Sequence, residues 1–310
     1  MKTGTTVLAN KPVNKKGNFL LSQKLAPYLF VSPFVITFVL FLAYPIIDSV
    51  VMSFQHIVPG ETTFVGTENY RNLLNPHFAK AISNSALYTF WTLIILIPLP
   101  LLLAVLLNSG LTPFRTFFKS ALFMPALTSI IVAGAIFRLI FGDMDTALAN
   151  SFLIWLGFDP IKWKLSAGPG MFLMVALASW RWMGVNILYF LSGLQNIPRE
   201  LYESASIDGA NALTKFWKIT VPLLKPVTIY VLTISIYGGF AMFTESYVFW
   251  SNHSPANIGL TIVGYLYQQS FEFFNMGFGS AIGMTLLFIV LAVNLIQLKF
   301  FGMFGKDDES

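Results

Sequence analysis

The chain is 310 residues long, 55% hydrophobic and only 11% charged, with a mean hydropathy of +0.69. Soluble domains carry about 25% charged residues, so a water-solvated globular protein is excluded and a polytopic membrane protein is indicated. There is no cysteine, which removes disulfide frameworks and thiolate metal sites, and His56, His77 and His253 are scattered without metal-ligand spacing.

In chain order, the first 24 residues are basic and lack a compact apolar region followed by a small-residue cleavage site. They read as a soluble tail and not as a signal peptide. Apolar runs near the bilayer-crossing length of about 20 residues then predict six spans, over residues 27–54, 83–108, 119–141, 171–195, 226–250 and 276–301. Pro27, Pro33, Pro45, Pro98, Pro100 and Pro125 lie in or beside them. Bundled membrane helices accept proline because neighbours can satisfy the carbonyls it frees. The expected fold class is all-α, with a tail over 1–26, a transmembrane domain over 27–302 and a second tail over 303–310.

Lysine and arginine placement sets the orientation. With the N-terminus inside, thirteen of the 19 cationic side chains fall on the inner face: Lys2, Lys11, Lys15, Lys16, Lys24, Arg115, Lys119, Arg199, Lys215, Lys218, Lys225, Lys299 and Lys306. Only Arg71, Lys80, Lys162 and Lys164 fall outside, while Arg138 and Arg181 sit within spans. Both termini and the connection over 196–225 are therefore expected in the cytoplasm. The net charge of +5 reads as topology, not as affinity for nucleic acid.

The first external connection suggests a short interfacial helix, with Thr67 as cap, Glu68 in the first turn, Asn75-Pro76 as the stop, and Tyr70, Leu73 and Leu74 facing the membrane. In the second, Trp155 and Trp163 read as aromatic-belt anchors, with contact to an external protein as the alternative. The cytoplasmic connection is more distinctive. Pro198, Glu200 and Glu203 suit a helix start; Gly209 suits a left-handed break; a second short helix from Asn211 carries Lys215, Phe216, Trp217 and Lys218 until Pro222 stops it. Small residues on the first helix and after it (Ser204, Ala205, Ala210) admit close approach by another backbone, so the segment reads as a docking elbow or, more plainly, as an interfacial connector.

The spacing of Glu203, Ser204, Ala205, Gly209, Ile219, Val221 and Pro222 resembles the E-A-A, G, I-x-L-P loop of bacterial ATP-binding-cassette importer permeases, with Ser204 and Val221 as mild departures. Leu201-Tyr202, Ile207-Asp208-Gly209-Ala210 and the stretch from Phe64 to Leu74 are similar to the sugar-transport branch. Ser179-Trp180-Arg181-Trp182-Met183-Gly184 and Gly264-Tyr265-Leu266-Tyr267-Gln268-Gln269 look most like the arabinose and arabino-oligosaccharide permeases of Gram-positive bacteria. The resemblance implies a type I importer permease fold, a multi-pass place in the bacterial cell membrane, and pairing with a second homologous permease. It further implies two ATPase subunits that hold ATP and Mg, an extracellular sugar-binding lipoprotein, and an oligosaccharide cargo. Glu203, Ser204, Ala205, Asp208, Gly209, Ala210, Ile219 and Pro222 would couple to the ATPase. No G-x-x-x-x-G-K-[ST] loop is present, so ATP belongs to another chain.

A sugar pathway needs hydrogen-bonding groups and aromatic faces inside the bundle. Ionisable groups within a membrane are costly and face the interior by default, which singles out Arg181 and Glu245, unless the two simply pair. Asp48 and Arg138 lie near span ends, where snorkelling suffices. Helical spacing places Ala178, Arg181, Trp182, Val185 and Tyr189 on one face of the fourth span, and Ser235, Gly238, Gly239, Met242 and Glu245 on one face of the fifth. In the maltose-type permeases these two helices carry much of the sugar site. Packing is the competing explanation for each residue, above all Met242, and Gly279-x-x-x-Gly283 reads as a packing face. An ion-coupled secondary transporter would need midplane carboxylates and internal repeats, and only Glu245 qualifies. A permease for a raffinose- or maltose-type sugar is the nearer alternative. No converging carboxylates or Ser/His/Asp set points to catalysis.

Overall fold

Prolines and the residues that answer them shape the helices. The computed structural model describes residues 25–109 and 113–302. Residues 1–24 of the expected N-terminal tail, with its five lysines, and the expected tail over 303–310, with Lys306, lie outside the described residues. The N-terminal unit is helix α1 (Ala26–Met52), with Pro27 in its first turn. Ser32 Oγ donates to Leu29 O at 2.9 Å, the carbonyl that Pro33 leaves without a helical donor. A π turn over Val39–Ala43 precedes Pro45.

The second unit opens with a β-hairpin absent from the all-α expectation: β1 (Gln55–Val58) pairs antiparallel with β2 (Glu61–Phe64), Gln55 opposite Phe64. Pro59-Gly60 makes the turn, with Gly60 at φ +86°, a conformation glycine adopts without steric cost. Asn69 of α2 (Glu68–Asn72) donates to Ser53 O and Gln55 O at 2.9 and 2.8 Å, strapping that helix to the hairpin. The membrane-facing expectation for this helix fails in part. Leu73 is buried with Phe78 and Phe278, and Tyr70 packs against them and bonds Ser53, so Leu74 alone points outward. Asn75 does more than end α2: its side chain accepts from Phe78 N at 2.9 Å and caps the following helix.

That helix, α3 (Pro76–Asn108), is longer than expected and is interrupted at Ile97, before Pro98 and Pro100. The third span is sharply broken, α4 (Arg115–Leu127) meeting α5 (Ile130–Ile140) at 95°. Beyond it, α6 (Leu148–Trp155) is tied down by buried Asn150, which donates to the carbonyls of Gly142, Met144 and Ile161 and accepts from Trp163 Nε1 at 2.9 Å. Trp163 is therefore a core residue and not a belt anchor, whereas Trp155 is 77% exposed.

Helix α7 (Ala167–Gln195) is the spine, burying Leu173, Leu177, Ala178, Ile187 and Phe190. A Cβ at Gly184 would overlap the Leu122 backbone of α4, so this crossing admits only glycine. The cytoplasmic connection forms α8 (Arg199–Ile207) and α9 (Ala212–Leu223), and α10 (Lys225–Phe240) leaves α9 at 66°. The expected fifth span does not run to Trp250 as one helix. It ends at Phe240 after Gly238-Gly239, a poor helix-holding pair, and resumes as α11 (Thr244–Trp250). Then come α12 (Ile262–Tyr267), prolonged by a π turn over Gln268–Glu272, and α13 (Met276–Phe300). Cβ atoms at Gly279 and Gly283 would meet Ser270 and Leu266, so that small-residue face packs within the chain. By length and composition α1, α3, α7 and α13 suffice to cross a membrane, and the two bent pairs raise the number to six if each is one span.

Candidate functional site: a docking elbow and the cavity beside it

The elbow is built by a glycine end-cap. Gly209 N donates to Ser206 O at 3.1 Å and Ala210 N to Ala205 O at 2.8 Å, the paired bonds of a Schellman termination, with Gly209 at φ +79°. Asn211 then caps α9, accepting from Thr214 N at 2.8 Å. Two side-chain bonds hold the arms together: Tyr202 OH with Thr220 Oγ1 at 2.9 Å, and Lys215 Nζ donating to Ser206 Oγ at 2.5 Å. Glu203, Ser204, Asp208 and Gly209 are exposed, while Ala205 and Ala210 are half-buried. Ile219 instead packs into the cluster around Leu194, Leu224 and Val231, so it roots the elbow in the spans. Pro222 does not stop the second helix. That helix runs to Leu223, and the chain turns at Leu224. Exposed apolar Ile207, Leu213 and Trp217 add a surface that the motif residues alone did not reveal.

Above the elbow, α3, α7 and α10 enclose a cavity of about 320 Å³. Trp182, Val185, Tyr189, Ser235, Gly238, Gly239, Met242 and Glu245 line it, so the two predicted faces meet around one space although the fifth span is broken between them. Arg181 does not line the cavity. Its Nη1 lies 3.9 Å from Glu245 Oε1, its guanidinium carbon 5.5 Å from the Trp182 ring centre, and its Nη2 donates to Thr128 O at 3.5 Å, at the break in the third span. Buried Arg181 Nε has no hydrogen-bond partner among the described residues.

The glycines divide. A Cβ on Gly238 would meet nothing within 4 Å and would stand in open space, whereas one on Gly239 would meet Thr89 of α3. Gly239 thus serves helix approach, and Met242 is largely wall, buried with Tyr88 and Phe249. The contribution of α3, through Tyr88, Thr92 and Leu96, was not foreseen. Its signal was present: Asn84, Ser85, Tyr88, Thr89 and Thr92 form a polar stripe in an otherwise apolar run. Thr92 Oγ1 donates to its own helix, to Tyr88 O and Thr89 O, which leaves its lone pairs for a donor in the cavity. Hydroxyls, one carboxylate and an indole suit a neutral polyol. Among the described residues there is no group of three or more metal-ligating His, Asp or Glu side chains.

An elbow exposed at one end of a helical bundle, and a cavity beside it whose largely apolar wall carries hydroxyls and one carboxylate, fit a membrane transport component. Residues 78–301 match the family of binding-protein-dependent transport system inner membrane components, and the chain belongs to that family. It is a multi-pass membrane protein. The chain is 61% identical to the arabinooligosaccharides transport system permease protein of Bacillus subtilis (strain 168), over 98% of each sequence. It is 55% identical to the protein of that name from Halalkalibacterium halodurans, over 94% of this chain and 92% of the other. The lactose transport system permease protein of Rhizobium radiobacter is 30% identical, over 87% of this chain and 92% of the other. Chains from two crystal structures of a bacterial transporter for alginate share the fold, with TM-scores of 0.76 and 0.80 at 20% identity. They cover 91% and 93% of this chain, which covers 96% and 99% of theirs.

Proposed function

We propose that this chain is one permease subunit of an ATP-driven importer that carries an arabinose-containing oligosaccharide delivered by an extracellular binding lipoprotein. The cargo follows from the named relatives at 61% and 55% identity. The observation that carries the mechanism is the continuity of α7 and α10 with the elbow. Two of the helices that wall the cavity, α7 and α10, are those that lead into and out of the proposed ATPase-docking elbow. Glu203, Ser204, Ala205, Asp208, Gly209 and Ala210 face an ATPase subunit, with Ile207, Leu213 and Trp217 as apolar anchors, while Ile219 and Pro222 join the elbow to the span.

ATP and Mg bind on two partner ATPase subunits, and a second, homologous permease completes the pathway. Closure of the ATPases moves the elbow, and the elbow moves the walls of the cavity. Trp182 offers a face for a sugar ring, Gly238 leaves it space, and Ser235, Tyr189 and Glu245 offer hydrogen bonds. Arg181 holds Glu245 in place. The test is uptake into vesicles reconstituted with the whole complex. We expect ATP-dependent uptake of arabino-oligosaccharide, insensitive to ionophores, and its loss in Arg181→Ala and Glu245→Ala complexes that still assemble. Uptake that persists without ATP and collapses with an ionophore overturns the reading; wild-type uptake in both variants overturns the site.

A further inference from the structure

A second cavity, about 490 Å³, lies between α3 and α7 at the end of the bundle away from the elbow. It is larger than the proposed sugar cavity, and fewer polar side chains line it. Along α3 its lining follows one helical face, Lys80, Asn84, Leu87, Trp91. Gly168 and Phe172 line it from α7. Leu87, Trp91 and Phe172 are all exposed, and the polar part is confined to the first turns of α3. There, Asn84 spends its amide on the carbonyls of Asn257 and Leu260, at 3.1 and 2.9 Å. Lys80 has no hydrogen-bond or ion-pair partner among the described residues.

We propose that this groove binds an anionic phospholipid of the leaflet opposite the elbow, its phosphate at Lys80 and an acyl chain along Leu87, Trp91 and Phe172. Three features argue for that occupant. One cation at one end of an otherwise apolar groove matches an anionic head on an apolar tail, and not a sugar, which needs hydrogen bonds along its length. The eleven helical steps from Lys80 to Trp91 rise about 16 Å, close to the thickness of one hydrocarbon leaflet, about 15 Å. The volume falls in the range of true ligand cavities, about 300–1,000 Å³. The proposal stands apart from the transport reading and survives its failure.

Gly168 supplies a clean test, because a Cβ there meets nothing within 4 Å and a larger side chain enters the groove without moving the backbone. The purified complex is titrated with phosphatidylglycerol or phosphatidylcholine and bound lipid is counted by native mass spectrometry. Expected is one phosphatidylglycerol retained per copy of this chain, in preference to phosphatidylcholine. Lys80→Glu should weaken that preference at least about fivefold, the scale of one basic residue at a membrane surface. Gly168→Leu should reduce retention of both lipids by blocking the tail. Equal retention of the two lipids by the wild type, or unchanged retention in both variants, overturns the proposal. So does disulfide capture of another subunit's helix by a cysteine placed at Leu87.

Discussion

Asn186 shows how a single side chain makes a proline tolerable inside a membrane helix. Pro100 has no N–H for Leu96 O, and Asn186 Nδ2 of α7 donates to that carbonyl at 2.8 Å from a buried position. Removing the amide strands a buried acceptor, at a cost of about 1–3 kcal/mol. Asn186→Leu should therefore lower the melting temperature of the detergent-solubilised complex. Pro100→Ala restores a backbone donor, so the double variant should recover much of the loss. A double variant as unstable as the sum of the two single ones would show that Asn186 acts by packing instead. The asparagine itself was visible in the sequence as a polar residue in an apolar run. Its partner was not, because Pro100 lies 86 residues away and only the crossing of α3 and α7 brings them together.

The elements were legible to unequal degrees, and the differences have local causes. The elbow followed from Pro198, Gly209 and Asn211, because caps and left-handed positions are set by neighbouring residues, and the Schellman bonds at Gly209 match that expectation. The breaks at Thr128-Ser129 and Ala241–Phe243 were missed because a hydropathy run has no term for backbone direction. The hairpin was hidden in a short polar connection. The facing of Leu73 depends on the Asn69 strap, which no periodicity encodes. At this scale the brace between Tyr202 and Thr220 matters most, since it is the side-chain bond that ties α8 to the root of α9. Tyr202→Phe and Thr220→Val each remove that bond and keep the shape. Both should raise amide exchange in residues 199–215, leave the spans protected, and lower sugar-stimulated ATP hydrolysis by the reconstituted complex several-fold. Unchanged exchange in both variants would mean that the elbow is held without this bond, by the Lys215–Ser206 bond, the end-cap at Gly209 and its apolar contacts.

For the whole molecule, thirteen cationic side chains against four lead to the expectation of an inward-facing elbow, and the elbow and the polar connection around Asn150 lie at opposite ends of α7. Orientation is nonetheless a property of the chain in a bilayer, and the cysteine-free sequence allows it to be measured directly. Ala212→Cys places one thiol on the exposed elbow, and Asp145→Cys places one on the exposed connection before α6. Neither side chain takes part in the bonds that hold its segment; Ser151 Oγ bonds the backbone carbonyl of Asp145, which the substitution keeps. In intact cells a membrane-impermeant maleimide should label Asp145→Cys and spare Ala212→Cys. In inside-out vesicles the pattern should reverse. The reverse pattern in cells would invert the topology and place the elbow beyond the reach of any ATPase, while labelling of both thiols in sealed cells would mean that α7, the helix between the two positions, does not cross the membrane.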